Sequence, residues 1–318
     1  MRPQILFYAL VTVITILLGK PAISLLRVLK FGQSERAEGP ESHLKKQGTP
    51  TMGGVFFLLA LLIVSVVAFF FYKDLLPLLL VTMAMGLVGL ADDLVKIKVD
   101  KHGLRAWQKS ILLVVFAAAY IGWDMWQKNG VYSFDFIFLT WNMPGWLYAI
   151  IMLGFFYYVT NCVNLTDGVD GLASSTIGVT MIALVFAFEY VLADTGASVF
   201  AAMVLGACVG FLIYNRHPAK VFMGDTGSLA LGGAFSALMM RTGSPILAIF
   251  MGIIFIVEGV SVMIQVAVFK ATGKRVFRMT PIHHHFELGK WSEKKIVTVF
   301  SIVTLIGSAI TVAILCFT

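Results

Sequence analysis

The strongest constraint on this 318-residue chain is its succession of long apolar runs, too many to be buried in one water-soluble core. Ten candidate spans stand out, at approximately 4–28, 53–72, 75–95, 109–125, 145–163, 171–192, 198–214, 227–241, 245–269 and 295–316. Crossing a bilayer takes about 20 apolar residues in helical form, because the helix satisfies its own backbone where water is absent. Charged residues make up only 13% of the chain, against about 25% in soluble proteins. The expected fold is therefore an all-α polytopic membrane protein with about ten transmembrane helices, forming one integral domain over residues 1–318. The 227–241 run is short and glycine-rich, with Gly227, Gly232 and Gly233, and is the weakest of the ten. Ile5–Leu18 is preceded by a single basic residue, Arg2, and lacks a clear A-x-A site, so it reads as an anchor and not a signal peptide.

Charge distribution gives the orientation. The connections 27–52, 96–109, 164–170, 215–226 and the stretch from 270 through Lys294 and Lys295 hold 19 of the 24 Lys and Arg residues. Positive-inside places these five connections in the cytoplasm and both termini outside. The net charge of +7 suits anionic lipid or anionic substrate. No free-standing basic helix or aromatic platform points to nucleic acid. Cys162, Cys208 and Cys316 are scattered through apolar sequence, with neither metal spacing nor a disulfide framework. Gly206 and Gly210, and Gly86 and Gly89, read as close-packing faces. Trp126, Tyr132, Trp141 and Trp146 predict an outer interfacial belt with a short hairpin.

The chemistry-bearing residues gather in the same five connections. Asn161–Gly171 places Asn164, Asp167 and Asp170 within a few residues, beside hydrocarbon; in a helix they would share one face. Acidic groups at membrane depth are costly and mark functional sites, although a solvated loop with Asp170 as a helix cap also fits. Asp92 and Asp93 end the third span and, on a helix, point about 100° apart, so they do not chelate one ion easily. Asp225, between Gly224 and Gly227, fits either an N-cap or a magnesium ligand. Five acids near one membrane face, Asp92, Asp93, Asp167, Asp170 and Asp225, point to a cation. Gly48–Gly54 follows Lys45 and Lys46 and fits a phosphate-holding turn or a basic turn capped by Thr51. Glu258 and Gln265 share a helix face, and either line a polar groove or pair with a neighbouring helix. His283, His284 and His285 beside Arg275 and Arg278 suit a diphosphate better than zinc. Walker, G-x-S-x-G and G-x-G-x-x-G motifs are all absent from the sequence.

Taken together, Gly48–Gly54, Ala91–Asp93, Asn161–Gly171, Val221–Ser228 and Met279–Glu287 closely resemble the MraY family. Its members are phospho-N-acetylmuramoyl-pentapeptide transferases of the polyprenyl-phosphate N-acetylhexosamine-1-phosphate transferase superfamily. The resemblance runs from about residue 40 to 290. It implies a ten-helix, Mg²⁺-dependent enzyme of the bacterial plasma membrane, commonly a homodimer, with a cytoplasmic active site. Its partners would be UDP-MurNAc-pentapeptide and undecaprenyl phosphate, and its products lipid I and UMP. Carried over residue by residue, Asp225 would be the magnesium ligand. Asp92 and Asp93 would bind and deprotonate the lipid phosphate, with Asp93 the favoured base. Asn164, Asp167 and Asp170 would line the uridine and diphosphate site, with Phe222 near the uracil. Lys46, Thr51, Asn215 and Gln265 would lie in the same cleft. His283 joins the catalytic set, and His284 and His285 would hold the sugar-phosphate side. The family lysine after the aspartate pair falls on Lys109, with Arg105 as competitor.

Two rivals stand beside this reading. Sister enzymes that use UDP-N-acetylglucosamine share the acidic motifs, but their last loop differs from Pro281–Glu287. A cation-coupled transporter would carry its acids near the midplane, within internal repeats.

Overall fold

The computed structural model describes residues 2–29, 46, 48–100, 102–136 and 139–317. Lys45 of the first polar connection lies outside them. Among the described residues, ten long helices occupy the expected runs: α1 (Pro3–Val28), α2 (Gly54–Phe69), α3 (Leu76–Lys98), α4 (Ala106–Gln127), α5 (Gly145–Thr166), α6 (Leu172–Phe186), α7 (Thr195–Asn215), α8 (Gly224–Arg241), α9 (Ile253–Thr272) and α10 (Glu293–Phe317). Among the described residues, eight helical segments are long and apolar enough to cross a membrane. They leave large side chains such as Leu80, Ile150, Met263 and Ile306 more than half exposed, a surface that suits lipid and not water. The protein is an all-α polytopic membrane protein.

Helix α8 is the exception that organises the rest. Every residue from Thr226 to Met240 is buried. Enclosed by neighbours, it needs no apolar outer face, and about half of its buried residues are Gly, Ala or Ser. Those small residues bring the surrounding backbones close. A Cβ on Gly232 would lie 2.8 Å from the Thr160 carbonyl of α5, and one on Gly233 would lie 2.7 Å from Met85 of α3. The expected glycine faces do the same elsewhere. Gly206 and Gly210 seat α7 on Tyr8, Thr12 and Thr15 of α1, while Gly86 and Gly89 seat α3 on the start of α8.

One expectation is corrected. The run 245–269 is not one span: a turn at Pro245–Leu247 and a short helix Ala248–Met251 end at Gly252, where α9 begins. Of the two alternatives for Asn161–Gly171, the structure takes the loop. Helix α5 stops at Thr166, and Gly171 adopts φ +78°, so Asp167 and Asp170 sit on a loop and not on a shared helix face with Asn164. At the opposite end of the bundle, strands β1 (Ser133–Phe136) and β2 (Leu139–Asn142) form the expected hairpin, pairing Ser133 with Asn142.

Candidate active site

Described residues from all five basic or acidic connections meet at one end of the bundle, and α8 supplies the centre. Gly89 allows the first turn of α8 to touch α3, since any Cβ there would strike the Asp225 carbonyl. That approach puts Asp93 under the exposed amides of the α8 N-terminus. Its carboxylate accepts from the backbone nitrogens of Asp225 (3.1 Å) and Thr226 (2.9 Å) and from the Thr226 hydroxyl (2.7 Å). The cap that the sequence offered to Asp225 is therefore provided by a different helix. Gly224 takes φ +70°, and a Cβ there would come within 2.5 Å of Asp93 Oδ2 and 3.1 Å of Thr51 Oγ1. Thr51 belongs to a segment zipped to the same turn: Gly53 N donates to Phe222 O, Gly54 N to Met223 O, and Phe222 N to Pro50 O.

Freed from capping, Asp225 turns its carboxylate into a cluster of charges. Oδ2 accepts from Lys109 Nζ at 2.5 Å and Lys96 Nζ at 2.9 Å, and Oδ1 from Asn164 Nδ2 at 3.1 Å. Lys96 also meets Asp92 Oδ2 at 2.6 Å, one helical turn away. Asp92 Oδ1 accepts from Leu104 N. The adjacent aspartates thus diverge, as the helix geometry predicts. Asp92, Asp93 and Asp225 still offer one oxygen each within 4.8 Å of one another. Lys109 reaches Asp225, whereas Arg105 stands at the start of α4, where its backbone nitrogen donates to Gln108.

A second charged group lies beside the first. Lys46 Nζ bonds Asp170 Oδ1 and Glu293 Oε2, both at 2.7 Å, and stands 6.0 Å from the Phe222 ring centroid. Burial works to lower the Lys46 ammonium, but the hydrogen bonds to Asp170 and Glu293 outweigh it and hold its pKa above the ordinary value. Asp170 Oδ2 takes His217 Nδ1 (3.1 Å) and Ala219 N (2.9 Å). Asn215 is buried and braces this region, accepting from Gly171 N and donating to Val221 O. Asp167 bridges the two groups electrostatically. Burial, then the negative charges of Asp225, Asp93 and Asp170, push its carboxyl well above the usual range.

The histidines fan out. His283 is sealed from solvent, with Nδ1 on Glu258 at 3.0 Å. His284 Nδ1 pairs with Glu287 at 2.6 Å, and His285 Nδ1 accepts from Arg278 N. Gln265 spends its amide on the backbone of Val276 and Phe277, bracing the loop ahead of the histidines. Sequence reasoning missed Lys96, His217 and Glu293. Lys96 was signalled by its i+4 spacing from Asp92; Glu293 carried no signal beyond an acid beside Lys294 and Lys295.

A helical membrane protein whose inter-helix connections close into a pocket of aspartates and lysines is built to handle phosphorylated substrates at the bilayer surface. Comparison with known proteins narrows the class. Residues 75–243 match the model of glycosyl transferase family 4, and residues 46–58 match phospho-N-acetylmuramoyl-pentapeptide-transferase signature 1. Curated phospho-N-acetylmuramoyl-pentapeptide-transferases of Staphylococcus aureus strains bovine RF122 / ET3-1, JH9 and Newman are each 45% identical over 320 residues, covering 96% of this chain and 98% of theirs. The chain belongs to the phospho-N-acetylmuramoyl-pentapeptide-transferase family.

Proposed function

We propose that this protein transfers phospho-MurNAc-pentapeptide from UDP-MurNAc-pentapeptide to undecaprenyl phosphate, giving lipid I and UMP. Family membership supports the reaction. The observation that carries the site is the meeting of Asp92, Asp93 and Asp225 within 4.8 Å, with Lys96 and Lys109 bridging Asp92 and Asp225. The reaction exchanges one phosphoanhydride for another, so positioning and charge neutralisation matter more than new covalent chemistry.

The donor set fits Mg²⁺, which favours hard carboxylate oxygens, waters and substrate phosphates. Asp225 is the principal candidate ligand, because it is partly exposed and its backbone is already anchored. Mg²⁺ bound there would offset charge on the diphosphate. The chain's own contribution is placement. Lys96 and Lys109 would offset phosphate charge beside Asp225, with Asp92 orienting Lys96. Lys46, Asp170 and Phe222 hold the nucleoside end, and Asn164 fixes Asp225. Both Asp93 oxygens are committed to α8, which favours a fixed electrostatic role over the mobile base expected from sequence. A phosphate monoester with a second pKa near 6 is largely dianionic at about pH 7.5, so direct in-line attack needs little help from a base. His284 and His285 face the sugar-phosphate side in this reading, while His283 supports from below.

The five connections rich in basic residues or motifs would lie in the cytoplasm, with ten spans and both termini outside, as the distribution of Lys and Arg supports. Location in the bacterial plasma membrane and association as a homodimer complete the reading, the latter carried by the family resemblance alone. The test is product analysis in detergent with both substrates and Mg²⁺, comparing the native protein with Asp225→Asn. Lipid I should form with the native protein and fall by more than about 100-fold in the folded variant. Equal rates would remove Asp225 from the mechanism.

A further inference from the structure

Glu258 lies in the second turn of α9 with no exposed surface, and an ionisable side chain at such a place is costly unless it is paired. Its partner is His283, in the first turn of the short helix Ile282–Leu288. One carboxylate grips both parts of that residue: Oε1 is 3.0 Å from ring Nδ1, and Oε2 accepts from the His283 backbone nitrogen at 3.4 Å. The grip fixes the ring plane and leaves Nε2 as the free position. Among the described residues Nε2 has no hydrogen-bond partner, although it is fully buried.

What Nε2 does meet is Gly168. A Cβ on Gly168 would collide with Nε2 and lie 2.8 Å from Cε1 and 3.3 Å from Cδ2. The edge of the imidazole therefore occupies the space that a side chain at 168 would take. Gly168 sits between Asp167 and Asp170, so the ring is the floor on which the acidic loop rests.

We infer that Glu258 is a positioning residue: it clamps His283 so that the imidazole sets the height of the loop carrying Asp167 and Asp170. The inference rests on the proposed function, because that loop belongs to the nucleotide half of the site. Glu258 touches neither substrate. Its removal lets the ring rotate away from Gly168, and the loop loses its support.

A steady-state comparison with each substrate varied in turn tests this. Glu258→Leu should raise the KM for UDP-MurNAc-pentapeptide about tenfold while the KM for undecaprenyl phosphate stays within about twofold. Glu258→Gln, which keeps an oxygen for the Nδ1 proton, should stay within about threefold of the native protein for both substrates. Gly168→Ala, which pushes the loop off the ring, should reproduce the selective effect, and adding Glu258→Leu to it should change KM no further. A merely structural glutamate would lower the active fraction and leave both KM values alone. That result, or effects of the two substitutions that multiply, overturns the inference. If Glu258→Leu does not accumulate folded, Gly168→Ala decides, and unchanged KM values in it overturn the inference. Native protein that releases no UMP overturns the proposed function and this inference with it; native turnover without the selective KM shift overturns the inference alone.

Discussion

Asp93 on α3 accepts two hydrogen bonds from Thr226 on α8, one from its backbone nitrogen at 2.9 Å and one from its hydroxyl at 2.7 Å. A third comes from Asp225 N. Helix N-termini present unpaired donors and a partial positive charge, and they are normally capped from their own chain segment. Here the cap crosses between helices, so the position of Asp225 is set by α3.

Replacing Asp93 should therefore damage stability as well as activity. Asp93→Ala strands three donors and should lower stability by about 3 kcal/mol, read as a fall in the thermal midpoint in detergent. Asp93→Asn keeps one acceptor oxygen and should lose less. A midpoint unchanged in Asp93→Ala would contradict the cap.

The approach of α3 to α8 predicts a contrast between two glycines. Gly89→Ala would drive a methyl group into the Asp225 carbonyl, costing about 1–3 kcal/mol and more than about tenfold in turnover. Gly122→Ala, on α4, meets nothing within 4 Å and should be neutral or stabilise by about 0.5–1 kcal/mol. Equal effects at the two positions would mean that the close contact does not matter.

Much of this was legible in the chain, and the physical reason is clear. Lipid imposes helices of about 20 residues, so the apolar runs could be read directly. Glycine faces such as Gly206 and Gly210 also survived intact, because only small residues permit that approach. Helix α8 was read weakly because hydropathy reports contact with lipid, and α8 has none. The break at Gly252 was hidden inside continuous apolar sequence. At the site, residue types were visible, but partners were not. The structure adds that Asp93 caps α8 and that Asn215 and Gln265 brace backbone, contacts that sit beside the roles expected of them. Such assignments depend on which connection lies opposite, and no spacing along one segment encodes that.

Asp167 gives the pH dependence. Its carboxyl is raised well above the ordinary value by burial and then by Asp225, Asp93 and Asp170. A group harder to ionise in the folded chain than in the unfolded one costs stability above the unfolded pKa, about 3.9. The metal-free protein should accordingly lose stability as pH rises from about 4 through the folded value. Asp167→Asn carries no charge at any pH and removes that slope. Thermal midpoints of the two proteins should converge near about pH 4 and separate toward about pH 8, with the variant higher. Parallel curves would contradict the assignment.

Removal of divalent cations should separate catalysis from folding. Lys96 and Lys109 pair with Asp225 and so offset its charge when no divalent cation is bound. A chelator should abolish turnover while the helical circular dichroism signal is unchanged, and added Mg²⁺ should restore activity. Turnover that persists in the chelator, or helices that melt in it, would exclude that division of roles.

The most direct measurement is UMP release by the purified protein with undecaprenyl phosphate and Mg²⁺, supplied in parallel with UDP-MurNAc-pentapeptide and with UDP-N-acetylglucosamine. Release is expected with the muramoyl nucleotide, dependent on the lipid phosphate, and at background with the other. Release with UDP-N-acetylglucosamine alone, or with neither, would contradict the assignment of this aspartate and lysine pocket to phospho-MurNAc-pentapeptide transfer.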